Sequence, residues 1–324
     1  MERETLERHA KIIALNDSIA SYVRHEGQTI ACSLLVGPTI MCVVALRDLS
    51  FDKYTTSADD DDLTLMITHQ EGISALTVRS VAEAFLFELN ASYGIVFDFA
   101  PYITEAESSS YGSEVHDETE RFVQAGPLRL RPLPTPERIA DLLSLFRRAN
   151  AVQDDEFAVL NYVRVVEYVA ATVEKRSIHR ELRRKLMSSD ALDPSAEFID
   201  SVVKLVDEGN KTFKKDADAI RMAIAECCSF EIVTRHAPTF LKDLRKLGPR
   251  SSDESKQDGL RKVSDALVAT RNEIAHAKPT YRRTGLECPP SDLAAFRQLA
   301  SKIAEEAVRW FLDLSPNHRV TASP

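Results

Sequence analysis

The sequence predicts an α+β protein in which a small mixed α/β N-terminal domain precedes an all-α helical bundle. Three observations support this class. Short β-rich runs flank a helical segment before residue 125, prolines cluster between residues 126 and 136, and helical hydrophobic spacing dominates afterwards. We therefore expect an α+β domain at residues 1–125, a proline-rich linker at residues 126–136 and a helical domain at residues 137–324.

The N-terminal domain is predicted to combine two helices with four strands. Amphipathic spacing indicates helices at residues 3–26 and 74–91. Strand-forming composition marks residues 29–36, 39–46, 63–68 and 93–99. The Gly37-Pro38 pair between the first two of these strands indicates a hairpin turn.

Eight helices are predicted in the helical domain because apolar residues recur there every three or four positions. They span residues 137–150, 156–176, 178–188, 195–209, 215–234, 238–247, 256–278 and 291–314. The short connections between them indicate an antiparallel bundle.

Charge is unevenly distributed along the 324 residues, whose net charge is −9. Residues 1–130 carry 21 acidic and 9 basic side chains, whereas residues 131–324 carry 29 acidic and 32 basic ones. Only the second half therefore has a charge that suits nucleic acid. No run approaches the roughly 20 apolar residues of a membrane span, and the charged start does not resemble a secretory signal.

The sequence lacks the common cofactor and metal motifs. It contains no phosphate-binding glycine loop, dinucleotide fingerprint, H-E-x-x-H, C-x-x-C pair or G-x-S-x-G elbow. The five cysteines have no metal-ligand spacing, and their odd number argues against a disulfide framework. We therefore expect no cofactor, no metal, no membrane association and a reducing, cytoplasmic location.

Residues 256–278 carry the most informative pattern. One face of this predicted helix is lined by Leu260, Val263, Leu267 and Ile274. Arg271 falls inside that apolar stripe, where a guanidinium requires a partner. Asn272 and His276 are i,i+4 neighbours on another face, and Pro279 places His276 in the last turn of the helix.

Arg271-Asn272-Glu-Ile-Ala-His276 resembles the R-x(4–6)-H motif of HEPN domains, including the polar residue after the arginine. The run Asn161-Tyr-Val-Arg-Val-Val-Glu-Tyr168 is similar to an early helix of abortive-infection (ApeA-like) and methylamine-utilisation (MauJ-like) HEPN proteins. Those proteins also place a mixed α/β region before the bundle. Arg3 and His9 have comparable spacing, but they lie in an acidic terminal segment without this context.

The resemblance implies a HEPN-type bundle and a metal-independent endoribonuclease that acts as a defence or toxin effector. In that role His276 would exchange protons, Arg271 would stabilise phosphate charge, and Asn272 would orient the imidazole or donate to phosphate. Glu167 is the acidic partner that we expect for Arg271. An ion pair between Glu167 and Arg164, one turn away on the same helix, is the alternative.

The resemblance also implies partners. HEPN domains pair so that two motifs converge in one cleft, which predicts a homodimer or a higher even oligomer. Near the motif, an RNA substrate would meet Lys278, Tyr281, Arg282 and Arg283. The acidic N-terminal domain would then sense a regulatory protein or ligand.

A non-catalytic reading stays open beside the enzymatic one. In it the chain is a HEPN-like dimerisation and interaction module that binds a partner protein or a nucleotide. Arg271 would then pair within one monomer, and His276 would be an exposed residue at a helix end.

Overall fold

The computed structural model describes residues 19–36, 63–68, 72–94, 96, 130–131, 133–209, 216–275 and 284–320. The chain forms two compact units, one from Met1 to Leu143 and the other from Ser144 to Pro324. The first contains a small antiparallel sheet and a helix, and the second is helical. The expected order, a small α+β part followed by a helical part, is confirmed at this level.

A three-stranded antiparallel sheet forms the described core of the first unit, with β1 (Ile19–His25), β2 (Gln28–Val36) and β3 (Leu63–Thr68) in that order. The two-residue turn Glu26-Gly27 closes the β1–β2 hairpin. Its φ angles are 49° and 79°, both positive as a type I′ turn requires. Glycine suits the second position because it has no Cβ to clash there.

Helix α1 (Ala75–Tyr93) packs on β2 and β3. It begins where the Ser74 hydroxyl accepts a hydrogen bond from the Thr77 backbone N–H at 3.1 Å, and it ends at Gly94, whose φ is 71°. Residues 80–89 are all buried. A helix that is buried on every side is a core element of its unit.

Two predictions for this unit are wrong. Residues 19–25 form a strand rather than the end of a helix over residues 3–26, since buried Val23 alternates with exposed Tyr22 and β2 supplies a pairing partner. Tyr93 ends α1 instead of starting the strand predicted over residues 93–99, of which residues 95 and 97–99 lie outside the described residues. Residues 1–18 and 37–46, with the predicted Gly37-Pro38 turn, lie outside the described residues.

Seven α-helices follow among the residues that the structure describes. They are α2 (Ala140–Ala151), α3 (Asp155–Leu186), α4 (Ala196–Gly209), α5 (Asp216–Cys227), α6 (Phe230–Arg235), α7 (Asp253–Ala275) and α8 (Leu293–Leu312). The central element of the second unit is α3, which packs against α8, α5, α4 and α7. Its 32 residues make it about 48 Å long at 1.5 Å per residue.

Half-buried Arg297 and buried Arg319 fix α8 at its two ends. Near its start, Arg297 donates to the Val152 carbonyl at 2.7 Å and to the Asp155 carboxylate at 2.9 Å. Beyond its last turn, buried Arg319 donates to the Phe311 and Leu312 carbonyls at 3.2 and 2.7 Å. Carbonyls in the last turn of a helix lack the usual partner one turn further on, and Arg319 supplies a charged donor to two of them. The Phe311 carbonyl also accepts from the Leu314 backbone N–H at 3.2 Å.

Three predicted helix boundaries are corrected. Residues 156–176 and 178–188 belong to the single helix α3, because nothing near residue 177 interrupts the backbone hydrogen bonds. Residues 215–234 divide into α5 and α6, since the Ser229 backbone N–H donates to Glu306 at 3.2 Å. Residues 238–247 form two 3₁₀ turns, Thr239–Leu241 and Leu244–Lys246, instead of an α-helix.

Candidate functional site

The candidate site lies at the C-terminal end of α7. Val263 and Leu267 in the predicted apolar stripe are fully buried, while Leu260 and Ile274 are half-buried. Arg271 follows on the same side of the helix, and its side chain is 27% exposed. The stripe therefore anchors the helix and leaves its last turns partly open to solvent.

Arg271 forms an ion pair with Glu167 of α3. Its Nη2 lies 3.1 Å from Glu167 Oε1, and the Glu167 side chain is 26% exposed. Arg164, the alternative partner, instead donates from Nη1 to Asn161 Oδ1 at 3.3 Å. The pairing between Arg271 and Glu167 that we expected is therefore present, and it connects two helices that are far apart in sequence.

Asn272 holds the other branch of the same guanidinium. Its Oδ1 accepts a hydrogen bond from Arg271 Nη1 at 3.0 Å. Asn272 Oδ1 on α7 and Glu167 Oε1 on α3 therefore together fix the plane of the Arg271 guanidinium. Because the Asn272 carbonyl oxygen is engaged, its Nδ2 amide is the group suited to donate to a phosphate.

The remaining predicted site residues lie outside the described residues. They are His276, Lys278, Tyr281, Arg282 and Arg283. His276 is the residue next in sequence to Ala275, the last residue of α7. The description resumes at residue 284, so the structure does not test the position of any of these five side chains.

The chain returns to α7 directly after this stretch. The Cys288 backbone N–H donates to Thr270 Oγ1 at 2.9 Å, and both residues are buried. Thr270 is the immediate neighbour of Arg271. Residues 276–283 therefore follow directly after α7. The hydrogen bond between Cys288 and Thr270 then fixes the chain beside Arg271, five residues after residue 283.

Glu287 stabilises residues 284–288, where the chain returns to α7 and which we call the return point. Its carboxylate accepts hydrogen bonds from the Thr284 N–H at 2.7 Å, the Gly285 N–H at 2.8 Å and the Thr284 hydroxyl at 3.0 Å. Burial alone would raise the pKa of Glu287, but these donors outweigh it and lower the pKa from 4.5 to about 2. Glu287 is therefore ionised at neutral pH and holds residues 284–287 in one conformation.

Cys288, the residue after Glu287, is not suited to act as a nucleophile. Burial, with smaller effects from Asp292 and Glu273, raises the pKa of its thiol to about 12. A thiol with that pKa carries almost no thiolate at neutral pH. We assign Cys288 a packing role next to Thr270.

Sequence reasoning missed the contacts that fix the return point, namely those of Thr270, Thr284, Glu287 and Cys288. A local signal was available, because Thr284-Gly-Leu-Glu287 has the Ser/Thr-x-x-Glu spacing of a capping box, in which the glutamate accepts from the backbone N–H of the Ser/Thr residue. Gly285 between them has a φ of 82°, a value that favours glycine. The bond between Cys288 and Thr270 joins residues 18 positions apart and has no local signal.

The described part of the chain contains no group of three or more His, Cys, Asp or Glu side chains placed to hold a metal ion. Its helices also include none with the length and apolar character needed to cross a membrane. Comparisons with family models, curated proteins and solved structures found no match for this chain.

Proposed function

We propose that this protein is a metal-independent HEPN-type endoribonuclease whose active site is completed across a homodimer. The observation that carries the proposal is the ion pair between Arg271 and Glu167. It holds the arginine of the Arg-to-His motif in a defined, partly exposed orientation at a helix end. Because about a quarter of the Arg271 side chain stays exposed, a phosphate can reach the guanidinium while Glu167 holds it.

In the proposed chemistry, His276 transfers protons and Arg271 stabilises the phosphate. Cleavage of RNA without a metal requires a base for the 2′-hydroxyl, stabilisation of the crowded phosphate and an acid for the 5′-oxygen. His276 is the motif residue that exchanges protons near neutral pH. Arg271 stays protonated and stabilises the phosphate through its planar donors.

Glu167 and Asn272 are positioning residues in this proposal. Glu167 fixes the direction of the guanidinium from α3, and Asn272 fixes its plane from α7. One histidine per chain cannot readily serve as base and acid in the same step. The second motif of a homodimer supplies the other group, so the catalytic unit is the dimer.

Residues 276–283 supply the proposed RNA contacts. They include Lys278, Tyr281, Arg282 and Arg283. The chain on both sides of this stretch is fixed close to Arg271, by α7 before it and by the Thr270–Cys288 hydrogen bond after it. Binding through such cations weakens as salt concentration rises.

The test is RNA cleavage in EDTA by the purified protein and four variants, with mixed RNA substrates and several salt concentrations. We expect His276→Ala and Arg271→Ala each to lose at least ~100-fold in rate. His9→Ala and Arg164→Ala are the matched controls. The first belongs to the second Arg-to-His pair, and the second is an exposed arginine on α3 that contacts only Asn161 among the described residues. Both should cleave like the wild type.

Equal activity of the wild type and His276→Ala under every condition would contradict the proposed ribonuclease activity.

We further propose that the protein acts as a defence or toxin effector in the cytoplasm and that its N-terminal unit regulates it. The excess of acidic side chains over residues 1–130 supports a separate role for that unit. Deleting residues 1–125 should then change the dependence of cleavage on an activating condition.

One observation favours a second candidate, a non-catalytic HEPN-like interaction module that binds a partner protein or nucleotide. Glu167 and Asn272 together join Arg271 to α3 and α7, which is also the role of an arginine that only stabilises the bundle. This candidate predicts that Arg271→Ala weakens dimerisation or stability while His276→Ala changes neither. Analytical ultracentrifugation and thermal unfolding of the two variants separate the candidates.

A further inference from the structure

The exposed face at the C-terminal end of α3 is lined by cations. At about 100° per residue, His179 lies about 40° from both Lys175 and Arg183, and all three residues are exposed. We call these three residues the α3 row. Its members are four residues apart, which corresponds to about 6 Å along the helix axis. The glutamates nearest in sequence, Glu174 and Glu181, lie about 140° and 160° around the helix from His179.

Neighbouring side chains do not neutralise the α3 row. The positions three or four residues from its members hold no Asp or Glu, so the favourable pairs of a solvated helix face are missing there. None of the three members forms an ion pair with a described residue. In contrast, Arg180 pairs with Glu226 at 2.7 Å and Arg184 pairs with Glu181 at 2.9 Å. The fold therefore neutralises the adjacent arginines and leaves the α3 row to an anion from outside the chain.

The helix dipole does not account for the α3 row. Cations stabilise the C-terminus of a helix, but this effect falls off within the last turn. Helix α3 ends at Leu186, so Arg183 is the member of the row in that turn. His179 and Lys175 lie about 11 Å and 17 Å before the end of the helix. Their position therefore needs another reason than the stability of α3.

An arginine stacked on the one tryptophan of the chain lies beside the α3 row. The guanidinium carbon of Arg176 lies over the Trp310 ring of α8, 5.5 Å from its centre, and both residues are half-buried. Among the described residues, Arg176 has no ion pair, and its buried Nε has no hydrogen-bond acceptor. Bases of single-stranded RNA stack on arginine planes and aromatic rings. This pair therefore favours a single-stranded nucleic acid as the anion.

We propose that the α3 row binds the phosphate backbone of a single RNA strand that extends from the α7 site. Glu167, which holds Arg271, precedes Lys175 on the same helix by about 12 Å and 80°. The row continues away from the site for another 12 Å or so, up to Arg183. Evenly spaced cations in a line suit a chain of regularly repeated anions. The origin of the strand at the α7 site rests on the proposed ribonuclease function, whereas binding to the row does not.

A membrane surface is the competing polyanion. Leu186 and Met187 are exposed at the end of α3, beyond the row, and would suit such a surface. A helix that lies on a membrane inserts exposed apolar side chains along the face between its cations. Between residues 175 and 185 no apolar residue is exposed, since Ile178 and Leu182 are half-buried. The row itself therefore favours RNA.

Binding is measured by fluorescence anisotropy with a labelled 2′-O-methyl RNA strand of about 16 nucleotides. This probe has no free 2′-hydroxyl, so it cannot be cleaved by the proposed reaction. Lys175→Gln and Arg183→Gln should each weaken binding at low salt at least ~3-fold. Each should also make the slope of log affinity against log salt concentration shallower by about 0.7, the value for one phosphate contact of a single strand.

Lys242→Gln and Arg250→Gln are the matched controls, because both cations are exposed and lie outside α3. They should bind the probe like the wild type. Because all four substituted positions are exposed, far-UV circular dichroism of each variant should also match the wild type.

A wild type that leaves the probe unbound at ~100 µM protein and low salt would overturn the proposal. Row variants that keep the affinity and salt slope of the wild type would also overturn it, as would controls that lose as much as the row variants. Tighter binding to phosphatidylserine vesicles than to the probe, lost in the row variants, would assign the row to a membrane instead. If the row variants bind normally while the wild type cleaves RNA, the α3 row fails and the proposed ribonuclease function stands.

Discussion

Replacing Glu287 with glutamine tests how strongly the return point after residues 276–283 is held. The substitution keeps the shape of the side chain and removes its charge. In the folded protein the pKa of Glu287 lies at about 2 instead of 4.5. At about 1.36 kcal/mol per pKa unit, this difference corresponds to roughly 3 kcal/mol of preference for the ionised form. We therefore expect Glu287→Gln to lower the free energy of unfolding by about 2–3 kcal/mol at pH 7.

The pH dependence gives this prediction a definite sign. The pKa of Glu287 is lower in the folded state, so its stabilisation is complete above pH 4.5 and is lost as the pH falls toward 2. The difference between the wild type and Glu287→Gln, measured by urea unfolding, should therefore shrink over that interval. Glu254→Gln, at an exposed glutamate in the first turn of α7, should cost less than ~0.5 kcal/mol. A difference between wild type and Glu287→Gln that is below this control, or that does not change between pH 6 and pH 3, would refute the reasoning.

Three further predictions concern other contacts of the helical unit. A double-mutant cycle of Glu167→Gln and Arg271→Met, measured by urea unfolding, should give a coupling free energy of about 1–2 kcal/mol. This value lies between those of exposed and buried ion pairs, because both side chains are about a quarter exposed. A coupling free energy indistinguishable from zero would contradict the prediction. Arg319→Met should cost about 2–3 kcal/mol in the same assay because two carbonyls at the end of α8 lose a charged donor, and an unchanged urea midpoint would argue against that role. Gly259→Ala should lower the melting temperature despite a helix propensity that favours alanine by ~1 kcal/mol. The new Cβ would lie 3.0 Å from a Leu244 methyl group, and an increase in melting temperature would show that the neighbours yield.

Local patterns predicted the helices well where burial and periodicity agree. Helix α7 was expected over residues 256–278 and is observed at Asp253–Ala275, with the next residues outside the description. The half-buried position of Arg271 also followed from its place in the apolar stripe. The strand at Ile19–His25 was missed because a short apolar run fits both the helical and the strand periodicity. Pairing with β2 selects the strand.

Contacts between distant segments could not be predicted in the same way. The sequence allowed Glu167 to pair with Arg164 or with Arg271, and only the packing of α3 against α7 selects Arg271. The exposed face of helix α4 illustrates the same limit. Spacing shows that Ile199, Val203 and Val206 share a face of a helix, but it does not show whether another element covers that face.

The hydrogen bond between Thr270 and Cys288 has a consequence for how this region can be changed. It fixes the chain at Cys288 to a buried residue of α7, whatever residues connect the two. The entropy cost of closing a connection between two fixed points rises only slowly with its length. We therefore expect that an insertion or an exchange within residues 276–283 would leave the fold of α7 and its core unchanged.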